Sequence, residues 1–178
     1  KSFLFKLGLL EEINFDIEEV GKPLRYNWGK CPLATASFGH GITTTLLQLA
    51  KAYSIIVNGG YNVHPSLIKS DKKVHYEKVL HDDVSKKILP ILRKIVSTKE
   101  GTASLANVDG YEVGGKTGTA QKIDDGTYSK KKINSFVSVF PTSKPKFVLA
   151  VMLDEPKNSK NYVYNYRDGS NTKYKGTP

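Results

Sequence analysis

One ammonium and two hydroxyls fall within four residues at Lys116-Thr117-Gly118-Thr119, and glycines crowd them at Gly114, Gly115 and Gly118. A lysine supplies charge and up to three donors; threonines supply hydroxyls that donate and accept. Set on an extended chain with little side-chain bulk beside them, these groups suit an anionic, peptide-like ligand added edge to edge. Glycine inside a strand weakens its packing and marks the close approach of a ligand or another backbone. Val113 and the alternation after the glycines predict an extended segment over Tyr111 to Gln121. Gly114 and Gly115 are expected to clear space before the lysine, and Gly118 after the first threonine.

The rest of the composition narrows the chemistry by exclusion. Cys31 is the only cysteine, so there is no disulfide framework and no cysteine metal site. His40, His64, His75 and His81 show no metal-ligand spacing, and neither a metal nor a cofactor is expected. The formal charge of the 178 residues is +10, nearly all of it lysine; Arg25, Arg93 and Arg167 are the arginines. The lysines are scattered, and the densest run, Lys130-Lys131-Lys132, falls in an expected hairpin loop. That pattern favours a solvated basic surface over a nucleic-acid patch, with an anionic wall polymer or membrane surface as a further partner. No apolar run approaches the roughly 20 residues that cross a bilayer. Lys1 is not a methionine, and Tyr174 to Pro178 reads as the middle of a loop, so a piece cut at both ends is expected.

Several elements must position the lysine-threonine stretch. Phe3, Leu4, Leu7 and Leu10 predict the last turns of a helix over Ser2 to Leu10. Glu11 to Glu19 alternates, as a short half-buried strand or extended loop. Gly21-Lys22-Pro23 reads as a turn, and Arg25 to Pro32 as irregular. Ser37-Phe38-Gly39-His40-Gly41 is a glycine turn. It leads to Thr45-Leu46-Leu47-Gln48, which has the capping-box form. Leu46, Leu49, Ala50, Tyr53, Ile56 and Val57 then predict a buried helix that stops at Gly59-Gly60. Tyr61 to Lys69 reads as extended, Ser70 to Lys73 as a turn and Val74 to Leu80 as a short strand. Asp82 or Asp83 is the expected cap of a second helix. Its face is Val84, Ile88, Ile91, Leu92, Ile95 and Val96; Pro90 should kink it, and Gly101 ends it. Ala103 to Gly110 is a loop. Three strands follow, Tyr111 to Gln121, Ile133 to Phe140 and Lys146 to Leu153. A hairpin turn at Asp124-Asp125-Gly126 and a turn over Pro141 to Pro145 join them. Asp154 to Pro178 lacks periodicity and reads as a loop. Helices followed by a short-looped meander imply one α+β domain over 1–178, an antiparallel sheet with helices packed on it.

Taken together, these stretches resemble the C-terminal half of the transpeptidase domain of class B penicillin-binding proteins, particularly the division-type peptidoglycan D,D-transpeptidases. The resemblance rests on Ala34 to Gly41, Thr45 to Tyr53, Val57-Asn58-Gly59-Gly60, Glu100-Gly101-Thr102-Ala103, Gly114 to Lys122 and Asp154-Glu155-Pro156-Lys157. Lys-Thr-Gly alone is a weak signal in so lysine-rich a chain; the ordered set is specific. Leu47 departs from the family, which places proline there or nearby. The resemblance implies a penicillin-binding-protein and serine β-lactamase-like fold. It also implies acyl transfer from stem peptides ending in D-Ala-D-Ala, and inhibition by β-lactams. Lys116 then supplies charge near the substrate carboxylate and hydrogen-bonds within the catalytic cluster. Thr117 and Thr119 bind that carboxylate, the Thr119 backbone N–H is one oxyanion-hole donor, and Gly118 keeps the approach open. Stem peptides and β-lactams are the implied ligands, and divisome or elongasome membrane proteins the implied partners. An anchor in the inner membrane outside this piece, with a periplasmic catalytic domain, is the implied location.

The family's other two motifs, Ser-x-x-Lys and Ser-x-Asn, are expected upstream of this chain. Ser66/Lys69, Ser70/Lys73, Ser129/Lys132, Ser143/Lys146 and Ser170/Lys173 match the first by spacing, and Ser159-Lys160-Asn161 matches the second. None opens a helix ahead of the Lys-Thr-Gly strand, so the piece alone is expected to be inactive. The family's final helix is also expected to be missing, which would expose apolar sheet surface. Two readings compete: a penicillin-sensing receptor or serine β-lactamase within the same superfamily, and a basic, non-catalytic module for anionic polymer.

Overall fold

A computed structural model describes residues 1–18, 20–23, 28–69, 75–124 and 127–157, together with the backbone of 164–165 and 173–174. Helices α1 (Ser2–Lys6), α2 (Lys30–Ala36), α3 (Leu46–Val57) and α4 (Asp82–Ser97) come first, then a 3-10 turn at Ser104–Ala106. Strands β1 (Gly114–Asp124), β2 (Thr127–Phe140) and β3 (Phe147–Asp154) form an antiparallel sheet in the order β1-β2-β3. Two short strands, β4 (Tyr164–Asn165) and β5 (Lys173–Tyr174), pair with each other. The α+β fold with helices against an antiparallel meander is as the sequence implies.

Strand alternation sorts the sheet into two faces. Gly114, Lys116, Gly118 and Ala120 lie opposite Val139, Val137, Ser135 and Ile133 in register, and these in turn oppose Val148, Ala150, Met152 and Asp154. This face meets the helices. Val139, fully buried, packs with Val57 of α3 and Leu92 of α4, and Tyr53, Ile56, Ile88, Leu89, Ile95 and Val148 close around them. Fully burying an aliphatic side chain of this size contributes about 1.5–3 kcal/mol. A second cluster, Leu7, Ala52 and Ile55, joins the N-terminal segment to the other side of α3. On the opposite sheet face, Phe147, Leu149, Val151 and Leu153 of β3 stand 43–59 % exposed.

Helix α3 begins with the predicted capping box. The Thr45 side chain accepts from the Gln48 backbone N–H at 3.1 Å, and Gln48 Oε1 accepts from the Thr45 N–H at 2.8 Å. Its deepest line only partly follows the predicted face: Val57 is buried as predicted, but Gln48, Ala52 and Ile55 join it, whereas Leu46, Leu49 and Ala50 are only half-buried. Gln48 can take the core because its amide is satisfied twice over, at the cap and by donating to the Glu11 carbonyl at 2.6 Å.

Other boundaries move for local reasons. Arg25 to Pro32 reads as irregular, yet its last three residues open the helix Lys30–Ala36; Pro32 sits in the first turn, where its missing N–H has no intrahelical partner to lose. α4 is capped by His81, whose Nδ1 accepts from the Asp83 N–H, so Asp82 and Asp83 are first-turn residues favoured by the helix dipole. Pro90 lies within α4, which continues to Ser97; Ile91 is 54 % exposed and Ser85 takes part of the buried face. Glu11 to Glu18 is loop, with Ile13 buried and Ile17 exposed. Residues 20–23 show no assigned turn, and from 75 to 80 only an isolated Tyr61–Lys78 bridge forms in place of a strand. The 103–110 loop contains the 3-10 turn. β1 starts and ends three residues later than predicted. β2 absorbs Lys130-Lys131-Lys132, so this run is strand and not loop. The readings at 24–27, 70–74 and 125–126, and most of the reading after Lys157, lie outside the described residues.

Candidate active site

β1 pairs only with β2 among the described residues, so its other edge is free. Lys116 to Thr119 lie along that edge. Lys116 and Thr119 are exposed; Thr117 and Gly118 are half-buried. The Lys116 ammonium donates to the Thr117 carbonyl at 2.7 Å. By alternation Thr117 and Thr119 turn to the face opposite Lys116. The Thr117 hydroxyl donates to the Thr102 hydroxyl at 3.3 Å. A cleft of about 390 Å³ opens beside these hydroxyls, with Thr102, Thr117 and Thr119 at its polar end and Phe136, Val151 and Leu153 at its apolar end. Thr102 carries no role in the sequence reading. The signal for it was its place in Glu100-Gly101-Thr102-Ala103, one of the stretches that carry the resemblance.

The three glycines do different work. A Cβ at Gly114 would lie 2.9 Å from the Arg93 backbone nitrogen and 3.0 Å from the Leu92 carbonyl carbon of α4. One at Gly115 would lie 2.6 Å from the Val137 carbonyl oxygen and 2.7 Å from the Phe136 ring. The space expected for a ligand at these two positions is therefore filled by protein: a neighbouring backbone approaches, the other meaning of a strand glycine. Gly118 differs, because its Cβ would meet only the Ser135 hydroxyl, at 2.7 Å.

The strand is held in place from its N-terminal side. Arg93 of α4 donates through Nη1 to the Val113 carbonyl at 2.7 Å and to Asn107 Oδ1 at 3.0 Å. The Glu112 carbonyl accepts from the Thr142 N–H at 2.9 Å, and its carboxylate from the Ser143 N–H at 3.0 Å. Hydrogen bonds from the Ser143 hydroxyl and N–H, with the Arg93 charge behind them, hold the Glu112 carboxyl below its ordinary range. At the far end Lys122 binds Asp154 at 2.7 Å and Glu155 at 2.9 Å, reaching from β1 across β2 to the end of β3. These two carboxylates raise the Lys122 ammonium above its ordinary value.

The serine candidates are not gathered here. Ser66 sits in a loop with its hydroxyl on Asp16 at 2.7 Å; Ser129 is within β2, and Ser143 in the β2–β3 turn. Ser70, Ser159 and Ser170 lie outside the described residues. No group of three or more His, Cys, Asp and Glu suited to a metal occurs among the described residues. No described helix is long and apolar enough to cross a membrane.

This helix-backed antiparallel sheet is an architecture shared with known proteins. The family "Penicillin binding protein transpeptidase domain" matches residues 3–172, and this chain belongs to that family, in its class B branch. Over 163 residues it is 38% identical to the peptidoglycan D,D-transpeptidase FtsI of Buchnera aphidicola, covering 88% of this chain and 28% of that protein. It is 33% identical over 170 residues to the probable peptidoglycan D,D-transpeptidase FtsI of Caulobacter vibrioides, covering 89% and 29%. The transpeptidase domain of penicillin-binding protein 3 from Burkholderia pseudomallei superposes with a TM-score of 0.79 at 31% identity, covering 86% of this chain and 48% of that one. The chain thus spans less than a third of the length of these curated relatives.

Proposed function

We propose that this chain forms the substrate-binding wall of a peptidoglycan D,D-transpeptidase that works by serine acyl transfer and is inhibited by β-lactams. The observation that carries the reading is the placement of Lys116-Thr117-Gly118-Thr119 on the unpaired edge of β1. A donor peptide ending in D-Ala-D-Ala adds to this edge as a further strand. Its terminal carboxylate takes the Thr117 and Thr119 hydroxyls, with the Lys116 charge nearby. In an antiparallel ladder every second residue turns both its N–H and its C=O to one side. The Thr117 carbonyl accepts from the exposed Lys116 ammonium, which supports a free-edge orientation for Thr117 and, two residues on, for Thr119. The Thr119 N–H is then free to meet the oxyanion, a contact worth about 2.7–4 kcal/mol where such donors have been removed. Gly118 leaves the carbonyl's approach open.

The attacking serine and its lysine come from outside the residues that carry the Lys-Thr-Gly edge. None of Ser66, Ser129 and Ser143 opens a helix toward it. The acylated serine passes its acyl group to an amine of a neighbouring stem, which forms the cross-link; D-alanine leaves in the first step. Partners of a division or wall-elongation assembly, and a membrane-anchored periplasmic setting, belong to the same proposal by relationship to the relatives named above. Fluorescent penicillin tests it. The 178-residue chain alone is expected to remain unlabelled, and the full-length protein to be labelled at one serine in a Ser-x-x-Lys pair. Labelling of Ser66, Ser129 or Ser143, or no labelling of the full-length protein, overturns the reading.

A further inference from the structure

The proposed function gives Thr102 no part, yet its hydroxyl stands 3.3 Å from the Thr117 hydroxyl at the polar end of the cleft. The backbone on either side of Thr102 is fixed to α4. A Cβ at Gly101 would collide with the Ile95 carbonyl, so only glycine lets the chain turn this close to the helix. The Gly101 N–H donates to the Thr98 carbonyl at 3.1 Å. Ala103 is buried, and its N–H donates to the Ile95 carbonyl at 3.4 Å. The Thr102 side chain between them is left exposed.

Thr117 is referred to the same helix. β1 sets Gly114 against the backbone of Leu92 and Arg93, and Arg93 Nη1 donates to the Val113 carbonyl at 2.7 Å. The stretch of α4 from Leu92 to Ile95 therefore holds both the start of β1 and the turn that carries Thr102. The hydroxyl pair is set by one packed body.

A hydroxyl has one hydrogen and two lone pairs, and its hydrogen rotates to suit its partners. In this structure Thr117 gives its hydrogen to Thr102. A carboxylate only accepts, so Thr117 can hold one only when that hydrogen turns away from Thr102. Thr102 can then turn its own hydrogen to a Thr117 lone pair, and the contact survives with its direction reversed. A hydroxyl that accepts in this way is a stronger donor, because hydrogen bonds in a chain polarise one another.

We infer that Thr102 is a positioning residue for the donor carboxylate. It donates to the Thr117 hydroxyl, which donates to the carboxylate; Thr102 itself does not touch the substrate. The inference rests on the transpeptidase reading of this edge.

The test uses the full-length protein and measures its acylation rate with a penicillin and with the methyl ester of that penicillin. Thr102→Val keeps the shape and removes the hydroxyl. It is expected to lose about three- to tenfold against the free acid, the scale of one neutral hydrogen bond, and little against the ester. Thr102→Ala should match it, and Thr102→Ser, which keeps the hydroxyl, should recover the rate. In a Thr117→Val background, adding Thr102→Val should cost nothing further, because the relay is already cut. Equal losses on acid and ester, a serine variant as slow as valine, or a full further loss in the Thr117→Val background overturns the relay and leaves the transpeptidase reading standing. So does a valine or alanine variant with the wild-type rate on the acid. A wild type that penicillin does not acylate overturns the transpeptidase reading and the relay with it.

Discussion

Alanine at Gly114 and alanine at Gly118 separate packing from chemistry within one strand. At Gly114 the new methyl lies 2.6 Å from Thr142 Cγ2, 2.9 Å from the Arg93 nitrogen and 3.0 Å from the Leu92 carbonyl carbon. The threonine methyl can rotate away, but the backbone of α4 cannot. α4 must move off β1, and overpacking of this kind costs about 1–3 kcal/mol. In a chain of 178 residues each kcal/mol lowers the thermal midpoint by about 2–4 °C, so the middle of the range is a fall of about 4–8 °C. Arg93 also carries the hydrogen bonds that hold Val113 and Asn107, so the shift loosens the start of β1 as well. At Gly118 the new methyl meets one hydroxyl, that of Ser135, which has a rotamer to spare. The stability cost there is about 1 kcal/mol or less. The expected loss is instead in penicillin acylation, because in the proposed reading Gly118 keeps the approach of the reacting carbonyl open. Scanning calorimetry of the two variants side by side, with acylation rates on the same samples, reads both effects. A Gly118→Ala variant destabilised as much as Gly114→Ala, or a Gly114→Ala variant as stable as wild type, refutes this division of roles.

Further predictions follow from single contacts. Ser85, buried in α4, donates to the Ile56 carbonyl and accepts from the Gly59 N–H at 2.9 Å; Ser85→Ala is expected to cost about 1–3 kcal/mol in urea unfolding. An unchanged midpoint contradicts that joint. Gln48→Leu keeps the volume but strands the Thr45 N–H and the Glu11 carbonyl, so a loss of at least about 2 kcal/mol is expected in the same assay. Acid should destabilise the fold through three carboxyls. Ser66 and the Leu67 N–H hold Asp16 below its ordinary 3.8, Lys78 holds Asp82 below the same value, and Ser143 holds Glu112 below 4.5. Each contribution is complete above the ordinary value and is lost as pH falls through the lowered folded one. The thermal midpoint should therefore hold level down to about pH 5 and drop below about pH 4. A midpoint that rises on acidification rules this out. Lys122 works in the opposite sense: its raised value means stability complete below 10.5 and lost as pH climbs through the folded value.

Local chemistry strong enough to decide structure by itself was legible in the sequence. The Thr45–Gln48 box fixed the start of α3 to the residue, and the Gly39 and Gly41 turn appeared where the glycines demanded it. The meander was legible because its connections are short. What was not legible depended on tertiary partners. Gln48 reads only as the capping partner of Thr45, and its burial depends on the Glu11 carbonyl, 37 residues away, that accepts from its amide. The lysine run 130–132 reads as loop because lysine disfavours strands, yet pairing with β1 on both sides of it, at Gln121–Lys132 and Ile123–Tyr128, carries the strand through it. Gly114 and Gly115 announced a close approach, but sequence cannot distinguish an approaching ligand from an approaching helix. At the site, the type and spacing of Lys116, Thr117 and Thr119 pointed to an anion-binding edge. Thr102 and Arg93 come from elements 15 and 20 residues upstream of the groups they bind, and only the fold brings them there.

The central claim is that the Thr117 and Thr119 hydroxyls on the free edge of β1 hold the donor carboxylate. The most direct test is the acylation rate of the full-length protein with a penicillin and with its methyl ester, in wild type and in Thr117→Val/Thr119→Val. The account predicts that the double variant loses about tenfold or more against the free acid, the scale of charge-assisted hydrogen bonds, and little against the ester. An equal loss with both compounds, or no loss with the acid, contradicts it.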